Sequence, residues 1–251
     1  MRDAALDLLL GSSCVGCARP GRMLCPACRA GLPARATVSW PSPVPHGLVT
    51  PWATGPYADT LRALVVGHKD RGQWSLARVL ARLLATSVRA AAGPPDGSPL
   101  VLVPVPSRPG SSRRRGYDPT GALVRGAAGL LVRESYDALP AALLVSRGGV
   151  RDQAGLTATE RGANLAGSMS CPAPGLRRLA ARRTRARIVL CDDVLTTGAT
   201  AREAQRALAA VGLAPVAVAV VAATRRRLPG TGTVGVSHSG PLSLGPSPGR
   251  G

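Results

Sequence analysis

Phenylalanine is absent from this 251-residue chain, and aromatic residues make up only 2% of it. A core without rings has to be built from Leu, Val and Ala; apolar residues at 45% are enough to build one. Lysine is almost absent too. Of 32 basic residues only Lys69 is a lysine, so the formal charge of +19 is carried by arginine. In an Ala/Arg/Gly/Pro-rich chain Arg replaces Lys everywhere, so this excess alone is not a nucleic-acid signature, although it suits anionic ligands. Long apolar runs are also lacking. The longest, Val211 to Ala223, is too short to span a bilayer. The N-terminal stretch LDLLLGSSC imitates a signal peptide, but Asp3 and Asp7 interrupt it and its apolar part is too short. The expectation is a cytoplasmic protein with no membrane partner.

What is present is concentrated in Arg187 to Thr200, RIVLCDDVLTTGAT. Ile188 to Cys191 reads as a strand buried on both faces. Asp192 and Asp193 follow where the strand should surface. Val194 to Thr200 is small and hydroxylated, and runs into the helical pattern AREAQRALAAVG. A strand–loop–helix turn aims backbone N–H groups and the positive end of a helix dipole at one point, which suits a phosphate dianion. Gly198 permits close approach or positive φ. Thr196, Thr197 and Thr200 add hydroxyl donors. The two carboxylates repel phosphate, so they should face sugar hydroxyls or a Mg²⁺ shell. Together this describes a ribose 5-phosphate site. The plainer alternative is a strand ending in an Asp turn, with Asp193 capping the helix.

Upstream, Cys14-Val-Gly-Cys17 and Cys25-Pro-Ala-Cys28 are separated by seven residues. Two C-x-x-C pairs place four thiolates for a tetrahedral Zn²⁺ site, structural because no coordination position stays open. Disulfides do not suit a cytoplasmic chain, and a redox C-x-x-C needs a thioredoxin-like context that is missing. Cys171 and Cys191 are expected to be unpaired. Residues 29–52 read as extended linker or short edge strands, with Trp40 and Trp52 either packing the module onto the main domain or lying on the surface.

From Tyr57 two helices are expected, separated by GHKDRG. There His68 reads as part of a solvated turn, and Lys69 either as solvated or as reaching an anionic ligand. Leu100 to Val105 is a buried strand running into Pro106 and Ser107. Arg108, Arg113, Arg114 and Arg115 follow in a loop, placed either for pyrophosphate oxygens or as a solvated basic turn. A helix starts at Asp118-Pro119 and runs to about Arg133. Ala141 to Val145 is a strand candidate. Thr157 to Glu160 is a capping box, beside which Arg161 is either solvated or folded over the site. CPAPGLRRLAARRTRA reads as a basic connector, Pro215 to Ala223 as a further parallel strand, and residues 228–251 as a disordered low-complexity tail. Strands alternating with helices predict an α/β fold, a parallel sheet with helices on both faces and ligands beyond the C-terminal strand ends.

The stretch Asp192 to Thr200 resembles the 5-phosphoribosyl-1-pyrophosphate (PRPP) motif of type I phosphoribosyltransferases. The resemblance implies that Asp192 and Asp193 hold the ribose hydroxyls and that Thr196, Thr197, Gly198, Ala199 and Thr200 wrap the 5′-phosphate. Four blocks in order, YADTLRALVVGHKDRG, VPVPSRPGSSRRRGYD, RDQAGLTATERGANL and DDVLTTGAT, preceded by the four cysteines, resemble the ComF/GntX family of competence-associated proteins. Two departures stand out. Arg115-Gly116-Tyr117-Asp118-Pro119 replaces the usual Arg-Gly-Phe-Asn-Gln, and Lys69-Asp70 replaces a common Lys-Tyr pair.

The resemblance implies a type I phosphoribosyltransferase fold over 53–227, behind a zinc-ribbon module and linker over 1–52. It also implies PRPP binding with Mg²⁺, phosphoribosyl transfer to an unnamed acceptor, and a link to DNA uptake. Two other classes stay open: a PRPP or nucleotide sensor without turnover, and an accessory protein that binds single-stranded DNA or a DNA-processing partner. No acceptor-side aromatic platform is legible in so ring-poor a chain.

Overall fold

Unbroken apolar runs make the central strands, because a strand covered on both faces has no solvent side to mark with polar residues. The computed structural model describes residues 13–107, 117–147 and 167–224. Its elements in order are α1 (Pro26–Ala30), β1 (Thr37–Val38), β2 (Pro51–Pro56), α2 (Asp59–Asp70), a 3-10 turn (Trp74–Leu76), α3 (Ala77–Ala92), β3 (Leu100–Pro104), α4 (Pro119–Arg133), β4 (Ala138–Pro140), β5 (Val145–Ser146), β6 (Met169–Ser170), α5 (Ala173–Ala180), β7 (Arg187–Leu195), α6 (Ala199–Ala209) and β8 (Pro215–Ala223).

Six strands form one sheet in the order β1-β2-β8-β7-β3-β4. All neighbours are parallel except β1, which runs antiparallel on the edge of β2. β5 and β6 make a separate antiparallel pair. Side chains alternate across the sheet: Leu100, Leu102, Val189 and Cys191 pack with α2, α3 and α4, while Val101, Val103, Ile188 and Leu190 pack with α5 and α6. From β3 the chain passes through α4 outward to β4, and from β7 it passes through α6 the opposite way to β8. The strand order therefore reverses between β3 and β7, leaving a crevice at their C-terminal ends.

Several sequence expectations need correction. The strand expected over Ala141 to Val145 lies earlier, at Ala138–Pro140, paired with Leu100–Leu102; Pro140 ends the ladder, and Leu143 and Leu144 are buried beneath α5 and α6 instead. The basic connector contains α5, whose Leu176 and Leu179 form an apolar i, i+3 stripe hidden among arginines. α2 continues through His68-Lys69-Asp70, and His68 is buried, not solvated. It takes the i+7 place of the stripe Leu61, Leu64, Val65, His68.

α4 starts where the sequence puts it. Asp118 Oδ1 accepts the Gly121 N–H at 3.1 Å, and Pro119 occupies the first turn. Asp118→Ala is expected to lower stability by about 1 kcal/mol, read as a lower denaturant midpoint with unchanged slope.

Candidate functional site

β7 runs past Cys191 and takes in both acids, so Asp192 and Asp193 are strand residues at the crevice. The capping alternative is thereby excluded, since the residue capping α6 is Gly198. Each carboxylate accepts the amide of the following residue: Asp193 N–H donates to Asp192 Oδ1 at 2.8 Å and Val194 N–H to Asp193 Oδ1 at 2.9 Å. Asp193 is buried and pairs with the ammonium of Lys69, at the end of α2, at 2.6 Å. Burial, reinforced by the Asp193 carboxylate, pushes the Asp192 carboxyl well above the ordinary range, with Lys69 pulling the other way. Burial alone would lower the Lys69 ammonium, but the Asp193 and Asp192 carboxylates outweigh it and hold it above its usual value. The sole lysine is thus part of the acid pair.

The loop Thr196–Gly198 then delivers the chain into α6. Gly198 has φ 74° and ψ −4°, the left-handed conformation that glycine takes at no steric cost. A Cβ there would lie 3.0 Å from Pro41, 3.1 Å from Leu48 and 3.2 Å from Pro45, so the strap connecting β1 to β2 lies against the loop. Arg202 Nε and Gln205 Nε2 hold that strap by donating to the carbonyls of His46 and Gly47 at 2.8 and 2.7 Å. Thr196 is exposed, Thr197 and Thr200 are half-buried, and the Thr197 hydroxyl accepts the Ala199 N–H at 3.5 Å. The first N–H groups of α6 have no intrahelical acceptors and open beside these hydroxyls.

Val105 N–H donates to Cys191 O at 2.8 Å, which carries Pro106 and Ser107 to the same end of the sheet as the acids. The Ser107 hydroxyl is buried without a hydrogen-bond partner among the described residues. Arg108, Arg113, Arg114, Arg115, Glu160 and Arg161 lie outside the described residues, as do residues 1–12 and 225–251. Just beyond the arginine loop, the Tyr117 hydroxyl bonds His68 Nε2 at 3.1 Å, and its ring lies 5.8 Å from that of Trp74. Burial pushes His68 below its ordinary pKa, against the pull of Asp193. The i+7 position of His68 is the one sequence signal for this contact.

The four cysteines of the N-terminal pairs converge, with all four sulfurs within 4.8 Å of one another. Cys17 and Cys25 sulfurs are 3.7 Å apart. A tetrahedron with metal–sulfur bonds of about 2.3 Å has edges of about 3.8 Å, so the spacing fits a single metal ion such as zinc. Gly16 keeps the first turn uncrowded, since a Cβ there would lie 3.0 Å from both Cys28 Sγ and Thr60 Oγ1 and would push on these side chains. Burial opposes ionisation of Cys14, but backbone N–H donors at Cys25, Cys17 and Gly16 outweigh it and lower its thiol to about 6. The surrounding sulfurs of Cys25, Cys17 and Cys14 raise Cys28 to about 12. Cys14, Leu24 and Cys25 join the main core with Leu61 and Leu64. Trp40 is not the link to the module; it is 43% exposed and lines a groove beside β2.

These features define an α/β protein with a mostly parallel six-stranded sheet and a four-cysteine cluster able to bind a metal. Among the described residues no helix is long and apolar enough to cross a membrane. No family model matches the chain, and no curated protein matches it.

Proposed function

We propose that this chain is a phosphoribosyltransferase-like protein that binds PRPP as its magnesium complex and carries one structural Zn²⁺ on Cys14, Cys17, Cys25 and Cys28. The observation that carries the reading is the order Asp192-Asp193, Thr196-Thr197-Gly198, α6 at the C-terminal end of β7, beside the point where the strand order reverses. Asp192 and Asp193 accept from the ribose hydroxyls. The amides and hydroxyls from Thr196 to Thr200 surround the 5′-phosphate. Pro106 and Ser107 hold the chain beside the pyrophosphate, and Arg108, Arg113 and Arg115 supply the positive charge there. Lys69 steadies the acid pair. Zinc crosslinks the two cysteine turns and leaves no open position for catalysis.

The reaction class is phosphoribosyl transfer. A nucleophile bonds to ribose C1 as the C1–O bond to pyrophosphate breaks, and the electron pair leaves on the pyrophosphate oxygen. The protein contributes positioning and charge rather than a chemical base. Likeness to competence-associated proteins adds a role in DNA uptake, through single-stranded DNA or a DNA-processing partner.

Calorimetric titration with PRPP and Mg²⁺ is the test. Saturable binding is expected, weakened roughly tenfold or more by Asp193→Asn, which removes a charged acceptor. Absence of both heat and a thermal shift with the native chain would end this reading. Pyrophosphate release in the presence of an acceptor separates the enzyme from a sensor, and a steep fall of single-stranded DNA affinity with salt would favour a nucleic-acid role.

A further inference from the structure

A groove of about 400 Å³ lies where the four-cysteine module meets α3 and the end of α4. That volume is within the range of ligand sites. Val79, Arg82, Leu83, Thr86 and Arg89 recur at helical spacing, so they form one face of α3, spanning about 15 Å. Arg29, Leu32 and Pro33 of the module border this face, as do Leu130 and Glu134 at the end of α4. The apolar part of the lining is anchored in the core. Val79 and Leu83 are buried in the main cluster, and half-buried Leu32 and Leu130 pack against it.

The charges divide into two sets. Arg89 Nη1 donates to both oxygens of Glu134 at 2.7 Å, and its Nη2 donates to the Thr86 hydroxyl at 2.7 Å. That guanidinium is satisfied. Arg29 and Arg82 are exposed, and among the described residues neither side chain makes a hydrogen bond or an ion pair. Three arginines against one glutamate leave the lining at +2. Two unpaired guanidiniums, one on the module and one on α3, beside a leucine floor call for carboxylates carried on an apolar body. A small hydrophilic anion would leave the leucines uncovered. No aromatic ring lines the groove, so a nucleic acid strand would find charge there but no surface to stack on.

We propose that this groove docks an acidic amphipathic helix of a partner protein. Its apolar residues lie against Leu32, Val79, Leu83 and Leu130, and its carboxylates meet Arg29 and Arg82. The length suits such a helix, since about 15 Å is about ten helical residues. Arg29 directly follows Cys28, so one wall of the groove is held by the turn that carries the metal-site sulfurs. The proposal does not depend on the PRPP reading.

The experiment follows fluorescence polarisation of a labelled peptide with leucines at i, i+3, i+4 and i+7 and glutamates elsewhere, titrated with the full chain. A second peptide carries serine in place of each leucine. Saturable binding of the leucine peptide is expected, with the serine peptide at least roughly tenfold weaker. Arg29→Glu and Arg82→Glu should each weaken the leucine peptide roughly tenfold. Arg178→Glu makes the same charge change on α5, across the sheet, and should change affinity by less than about twofold. Circular dichroism melts verify that the three variants fold, as exposed side chains permit.

No saturable binding of the leucine peptide, or equal affinity for the two peptides, overturns the proposal. So does an Arg178→Glu loss as large as that of Arg82→Glu, which would show only the general attraction of a chain at +19 for acids. Oligothymidylate that binds the native chain and is lost in Arg29→Glu and Arg82→Glu, with no peptide binding, would overturn it in favour of nucleic acid. A native dimer that Arg82→Glu splits, seen by light scattering, would overturn it in favour of a second copy of the chain.

Discussion

Cys25→Ser is expected to empty the metal site and lower the melting temperature by roughly 10 °C, with metal content falling from one ion per chain to near zero. Cys14 and Cys25 are only 2% and 5% exposed and belong to the same apolar cluster as Leu24, Leu61 and Leu64. The module is thus one wall of the core formed with α2 and α3. Its one helix among the described residues, α1, has five residues, too short to hold itself together. A bound structural metal contributes on the order of 10 kcal/mol to such a module, most of it offset by the entropy of ordering the turns. A net loss of about 3–5 kcal/mol then applies to the whole domain, at about 2–4 °C per kcal/mol for a chain of this size. Elemental analysis and calorimetry on Cys25→Ser, Cys171→Ser and the native chain decide it. Cys171 is buried but lies outside the four-sulfur cluster, so Cys171→Ser should keep its metal. A Cys25→Ser protein with full metal and unchanged melting would rule out the four-sulfur site.

The elements that were legible from sequence are those whose local chemistry agrees with their surroundings. β8 spans Pro215–Ala223 as its apolar run predicts, and α4 starts at its Asp-Pro signal. The cysteine cluster was equally legible, because metal geometry constrains the spacing of its ligands. What escaped was decided at a distance. Nothing within GHKDRG says that His68 meets Tyr117 or that Lys69 meets Asp193, 124 positions further on. α5 escaped because its two leucines are outnumbered by arginines, and its stripe makes sense only against Leu143. Trp40 read either as packing the module onto the main domain or as a surface ring, and only the placement of β1 on the edge of β2 puts it in a groove instead. The acids themselves were legible, but their electrostatics were not, since Asp192 is perturbed by a burial that exists only once the sheet has closed.

That perturbation gives the second large effect, an opposition between stability and binding. In the folded chain Asp192 titrates well above the ordinary 3.8, through burial and the adjoining Asp193. Between the ordinary and the raised value the native state holds a proton that the unfolded state has lost, so stability falls as pH rises through that window. Asp192→Asn removes the penalty. Its melting temperature should equal that of the native chain below about pH 3.8 and exceed it at neutral pH by a few degrees, a gain on the order of 1 kcal/mol. If the acid pair holds ribose hydroxyls as proposed, PRPP binding should weaken in the same protein, because an amide oxygen is a neutral and therefore weaker acceptor than a carboxylate. Lys69→Met should act in the opposite direction. It leaves the buried Asp193 without its ammonium, at a cost of about 2 kcal/mol, less than for a fully buried pair because Lys69 is one-third exposed. The Lys69 contribution is fully present below the ordinary 10.5 and disappears as pH rises through its higher native value. Combining Lys69→Met with Asp193→Asn should recover most of the loss, and a double-mutant cycle reads the coupling directly. Additive losses at neutral pH would show that the ion pair does not hold this site, and an Asp192→Asn protein less stable than the native chain would show that the acid pair is not strained.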